Sequence, residues 1–136
     1  MSLALDASAA VALHFAEERV PFVQMEDRLA EGEEAFTAPN FFQEVMEALR
    51  RAVREGRTTT EDVQAWFGVL DSYNIVPINV NPVAGSATWL IAETLNISAY
   101  DAGYVAVAKA KGLPLWTRDK AVVNKAPRLL VRTLPN

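Results

Sequence analysis

SAYDAGYVAVAKAKGLPLWTRDK, residues 98–120, contains one complete short helix, one strand and two carboxylates that simple geometry returns to the same place. Ser98 caps a helix with Asp101 at its third position, and Val105 and Ala108 fall on the same side as Asp101. Gly112 supplies the stop and Pro114 prevents continuation. Leu113 to Thr117 is apolar and short, which reads as a buried strand, and Asp119 follows it. In a layered α/β arrangement helices begin at the carboxyl edge of the sheet and strands finish there. A helix of about eleven residues descends about 16 Å, and four or five strand residues climb back about 13–16 Å, so Asp101 and Asp119 share one edge.

The same grammar extends to the rest of the chain. Leu3 to Asp6 is an apolar run ending in an acid, and the alanine-rich stretch Ala7 to Phe15 favours helix. Asp6 therefore also stands at a carboxyl edge, with Ser8 as a candidate cap for the helix; the competing reading makes Asp6 an ordinary helix-start acid. Val20 to Ala30 is a second helix. Ala35 to Ala38 is a strand, broken by Pro39 and Asn40, and Phe41 to Glu55 is an amphipathic helix. Glu44 lies in its first turns on the flank of the apolar face, whereas Glu47 is placed to pair with Arg50, Arg51 or Arg54. Thr58 to Leu70 forms a hairpin with that helix, and its Trp66 and Phe67 are core residues before they are a partner surface. Asp71 ends this second helix and is expected at the opposite edge.

Ile75 to Val80 is a third strand, Asn81 and Pro82 open a helix through Leu95, and Leu129 to Leu134 is a last strand after a short helix. Residues 1–136 thus predict one domain, a three-layer α/β/α fold around a central, mainly parallel five-stranded sheet.

Composition bounds the chemistry. With 136 residues, 51% of them hydrophobic, the chain has material for a proper core. It contains no cysteine, which excludes disulfides, thiolate metal sites and cysteine nucleophiles. The one histidine, His14, falls near the far end of its helix and reads as a packing or surface residue, not a ligand. Met1 to Phe15 lacks a basic leader and no apolar run approaches about 20 residues, so the expectation is a soluble, cytoplasmic protein with no membrane partner. The net charge of −4 hides an asymmetry: residues 1–49 carry ten acids and two bases, and residues 102–136 seven bases and one acid. The bland reading is a solvated mixed-charge surface. The sharper one makes Arg51, Arg54, Arg118 and Lys120 a phosphate-binding surface beside an acidic centre. Asp6, Glu44, Asp101 and Asp119 all fall at the carboxyl edge, and four unpaired carboxylates there call for a cation. Oxygen-only ligation suits Mg2+ or Mn2+, singly or as a pair, and such ions orient water for attack on a phosphodiester.

LALDASA at residues 3–9, APNFFQEVMEAL at 38–49 and SAYDAGYVAVAKAKGLPLWTRDK at 98–120 together resemble the PIN-domain ribonucleases, in particular the VapC-type toxins of toxin–antitoxin pairs. The order of the motifs and the eighteen-residue step from Asp101 to Asp119 carry the resemblance, which spans essentially the whole chain. It implies that Asp6, Glu44, Asp101 and Asp119 are both catalytic and metal-binding, that the metal is Mg2+ or Mn2+, and that RNA is cut by an activated water. It implies Thr117 as a supporting hydroxyl two residues before the last acid, and we place Ser8 with it. It also implies a homodimer and a cognate antitoxin protein. Two departures stand out: Glu47 occupies a position where the family often has asparagine, and Lys120 and Asn124, not a further acid, follow Asp119. A catalytically weak PIN-like module that binds RNA or protein is the alternative reading. A receiver-type phosphoryl acceptor fits less well, because the acids sit on helix starts and after the fourth strand.

Overall fold

The computed structural model describes residues 1–128 and 130–135. Its strands are β1 (Ser2–Leu5), β2 (Glu34–Thr37), β3 (Ile75–Pro77), β4 (Leu115–Trp116) and β5 (Thr133–Leu134). They form one sheet in the order β3-β2-β1-β4-β5, and every neighbouring pair is parallel. The helices are α1 (Ala7–Ala12), α2 (Val23–Ala30), α3 (Phe41–Arg54), α4 (Thr60–Ser72), α5 (Pro82–Leu95), α6 (Ala99–Lys111) and α7 (Lys120–Lys125). Passing from β1 to β2 to β3 moves the chain one way across the sheet, and the step from β3 to β4 carries it back past β1. Because such crossovers are right-handed, α1 to α4 cover one face while α5 and α6 cover the other. The three-layer expectation holds.

The reversal has a chemical consequence. β1 and β4 are neighbours whose following segments leave for different faces, and a crevice opens beyond their carboxyl ends. Asp6 follows β1 and Asp119 lies three residues past β4.

Leu3, Ala4 and Leu5 of β1 are buried because that strand is central and helices cover both sides. Val45, Leu49 and Ala52 of α3 and Val105 and Ala108 of α6 are buried with them. Gly112 ends α6 with φ +65°, a left-handed conformation that costs a side-chain-bearing residue more.

Several boundaries differ from the sequence expectation, each for a local reason. The helix predicted over Ala7 to Phe15 stops at Ala12, after which Leu13, His14 and Phe15 bond to carbonyls three residues back and the helix tightens into turns. Val20 to Ala30 begins as a single 3-10 turn, Val20–Phe22, before α2. β3 ends at Pro77, with one further bond to β2 from the Ile78 N–H to Thr37 O at 2.9 Å. The final strand is only Thr133–Leu134; of the stretch predicted from Leu129, residue 129 lies outside the described residues.

Because α4 runs antiparallel to α3, its end comes back beside the start of α3, and Asp71 lines a groove with Phe41, Phe42 and Phe67 on one side and Tyr73 and Ile75, at the start of β3, on the other. Trp66 is 9% exposed and packs edge-on to His14, so both are core and packing residues, and His14 Nε2 is 2.7 Å from Thr58 Oγ1.

Candidate active site

Asp6 is the most enclosed of the four acids, 1% exposed. Its N–H donates to Trp116 O at 3.1 Å, which ties the end of β1 to β4. Its Oδ1 accepts from the Ala9 N–H at 2.9 Å and from Ser8 Oγ at 2.6 Å, and its Oδ2 accepts from Thr117 Oγ1. Asp6 itself is therefore the cap of α1. Ser8, expected to cap that helix, instead donates to Asp6 and accepts from the Arg118 N–H at 2.8 Å. Burial pushes the Asp6 carboxyl up to about 6; three donors oppose the rise and the charge of Asp119 adds to it.

Thr117 joins two of the acids. Its hydroxyl donates to Asp6 and accepts from the Asp119 N–H at 3.0 Å, and the residue is 2% exposed. Thr117→Val keeps the shape and strands a buried carboxylate oxygen, so urea denaturation should show a loss of about 1–3 kcal/mol, while Thr117→Ser should retain most of the stability.

Asp119 caps α7, accepting at Oδ1 from the N–H groups of Ala121 (2.8 Å) and Val122 (3.4 Å). Asp101 stands in the first turn of α6, whose cap, Ser98 Oγ, accepts from the Asp101 N–H at 3.0 Å. Burial pushes the Asp101 carboxyl up to about 7, and the neighbouring charge of Asp119 pushes the same way. Glu44, in the first turn of α3, is also raised by burial and by Asp119, against a hydrogen bond from Tyr104.

Two partners of Glu44 escaped the sequence reading. Tyr104 Oη donates to Glu44 Oε2 at 2.6 Å, and Asn40 Nδ2 donates to the same oxygen. Burial, then Glu44 and then the charge of Asp6 push the phenol far above its ordinary range, so it remains a donor. The signal was available: Tyr104 is one helical turn beyond Asp101, and Asn40 one turn before Glu44.

The four acids thus act on one another from four separate segments. Among the described residues, no basic side chain is paired with any of them. Their oxygen-only donor set and mutual repulsion fit a hard divalent cation. Yet among the described residues no group of three or more His, Cys, Asp and Glu side chains is gathered as a metal shell. The carboxylates are turned toward donors of the protein itself.

Beside them runs an open groove of about 380 Å³ lined by Ser8, Glu44, Glu47, Arg51 and Arg118. Of the four basic residues singled out from sequence, Arg51 and Arg118 line it. Arg54 turns to Glu47 at 3.9 Å, and Lys120 is exposed at the start of α7. Glu47 also faces Arg50 at 3.9 Å, the surface pairing expected of it. Among the described residues, no helix is long and apolar enough to cross a membrane.

A family model described as PIN domain matches residues 3–128. No curated protein matches the sequence. Among solved structures, PAE2754 from Pyrobaculum aerophilum is similar at a TM-score of 0.69 and 22% identity, over 98% of this chain and 84% of that one. The VapBC2 structure from Rickettsia felis, bound to a DNA fragment from their promoter, matches at a TM-score of 0.62 and 14% identity, over 99% of this chain and 100% of that one. At these identities the structural likeness establishes the fold.

Proposed function

The chain belongs to the PIN domain family, whose members are generally nucleases, and from that premise we propose that it is a Mg2+- or Mn2+-dependent endoribonuclease and the toxin of a toxin–antitoxin pair. The observation that carries the reading is the convergence of Asp6, Glu44, Asp101 and Asp119 on the crevice beyond β1 and β4, with the carboxyls of Asp6, Glu44 and Asp101 pushed upward and no basic partner for any of the four among the described residues. These four would hold the metal, after side-chain rotation away from their present donors. When bound, the ion supplies positive charge that activates water and offsets charge on the leaving oxygen.

The protein's own groups do the rest. Ser8 and Thr117 fix Asp6 from two sides. Tyr104 and Asn40 fix Glu44. Burial and the charge of Asp119 raise the Asp101 carboxyl to about 7, so metal binding near neutral pH should release protons. Arg51 and Arg118 take phosphates along the groove. A homodimer and a cognate antitoxin belong to the same reading; an apolar surface for such contacts is present on α5, where Val83, Trp89 and Leu90 are exposed.

The direct test is incubation of the purified protein, free of copurified partner, with structured and single-stranded RNAs in Mn2+, Mg2+ or chelator. Metal-dependent cuts support the reading; metal binding without cuts favours the weak binding module. Tyr104→Phe should keep the ring packing and the melting temperature while weakening Mn2+ binding by about tenfold, the usual effect of removing a partner of a ligand. Calorimetric titration checks it.

A further inference from the structure

Outside the acid cluster, the densest charged contact joins three parts of the chain that lie far apart in sequence. Glu18, in the turn after α1, accepts from Arg118 Nη1 at 2.6 Å and faces Arg57 Nη2 at 3.2 Å. Its side chain is 15% exposed, whereas those of Arg57 and Arg118 are 47% and 52% exposed. The carboxylate is thus enclosed between two guanidinium groups whose remaining donors face solvent. Arg57 lies just past the end of α3 and is held over the Phe15 ring at 4.3 Å. Arg118 stands between Thr117 and Asp119, its N–H bonded to Ser8 Oγ, and its side chain lines the groove that also holds Glu44.

We propose that Arg57 and Arg118 form a phosphate subsite for the RNA strand next to the acid cluster, and that Glu18 occupies it in the free protein as a resident stand-in for phosphate. A carboxylate and a phosphodiester each carry one negative charge and two oxygens suited to an arginine fork, so a phosphate takes the place of the Glu18 carboxylate against both guanidinium groups once that side chain swings out to solvent. The acids repel a polyanion, and a cationic pair beside them holds the strand where it would otherwise be pushed away. Glu18 keeps both arginines aimed at one point before RNA arrives and yields that point when it does. The subsite rests on the ribonuclease reading.

The test uses the Asp101→Asn chain, in which cleavage should be largely lost, and a 5′-labelled single-stranded RNA oligonucleotide followed by fluorescence anisotropy across a salt series. Arg57→Ala and Arg118→Ala should each weaken binding and lower the slope of log Kd against log salt by about 0.7, the share of one phosphate contact on a single strand. Glu18→Gln should tighten binding by about fivefold, since a half-exposed ion pair no longer has to be broken. Adding Arg118→Ala should abolish that gain. If Glu18→Gln does not fold, the arginine variants carry the test. Affinity and salt slope indifferent to Arg57 would overturn the subsite, as would weaker binding by a folded Glu18→Gln protein. If the wild-type protein cuts RNA in either case, the nuclease reading survives. Failure of every form to bind or cut RNA would remove both.

Discussion

Asp101→Asn should lower kcat for RNA cleavage by at least about 100-fold, beyond the upper range expected for a group that only supports a ligand. Asp101 stands in the first turn of α6 and lies in the field of Asp119 and Asp6, so its charge belongs to the whole cluster. Substitution by asparagine keeps the size and forfeits little of the favourable charge at a helix start, about 0.3–1 kcal/mol. Circular dichroism should therefore be unchanged while activity is lost. Asp6→Asn should lose activity to the same degree. Asp71→Asn, in the Phe41 and Phe67 groove, should stay within about twofold of wild type by the same assay, the range of exposed positions without a specific role.

The second large effect is on stability, and its sign depends on pH and metal. Burial and like charges raise the Asp6 carboxyl to about 6 and that of Asp101 to about 7, against 3.8 in the ordinary case. Between those values the folded protein binds more protons than the unfolded chain. Its stability without metal is therefore greatest near pH 4 as far as these groups are concerned, and it falls as the pH rises through about 7. In chelator at pH 8, Asp101→Asn should melt several degrees above wild type, because about 1 kcal/mol moves the melting temperature of a domain this size by roughly 3–5 °C. Near pH 4 the difference should vanish. Millimolar Mn2+ at pH 8 should reverse the order, since only the wild type gains the binding energy. Differential scanning calorimetry at the two pH values, with chelator and with Mn2+, checks all four combinations. Wild-type protein more stable than the variant in chelator at pH 8 would mean that the carboxylates do not repel one another there.

Much of this arrangement was legible before any coordinates. Ser98, Asp101 and Gly112 announced their helix with a cap, an acidic first turn and a stop, and the helix runs from Ala99 to Lys111. Asn81 and Pro82 did the same for α5. The carboxyl-edge rule placed Asp6 and Asp119 because each follows a strand, at once after β1 and three residues after β4, and caps the next helix. For Asp71 it took no account of the α3–α4 hairpin, which puts that residue in a groove between Phe41 and Ile75. Ser8 was misassigned as a cap since aspartate and serine compete for that role two residues apart, and local sequence cannot show that Thr117 comes from 111 residues away to hold the aspartate. Arg57 and Glu18 were opaque for the same reason: their meeting depends on how the turn after α1 folds against the end of α3. Tyr104 and Asn40, each one turn from an acid, could have been found by helical spacing.

The central claim is that Asp6, Glu44, Asp101 and Asp119 form one divalent-metal centre, and calorimetric titration of Mn2+ into metal-free protein at pH 7.5 tests it most directly. The wild type and Asp71→Asn should bind alike. Asp6→Asn, Glu44→Gln, Asp101→Asn and Asp119→Asn should each weaken binding by at least about tenfold. Wild-type affinity in any one of those four would remove that residue from the centre, and wild-type affinity in all four would contradict the account.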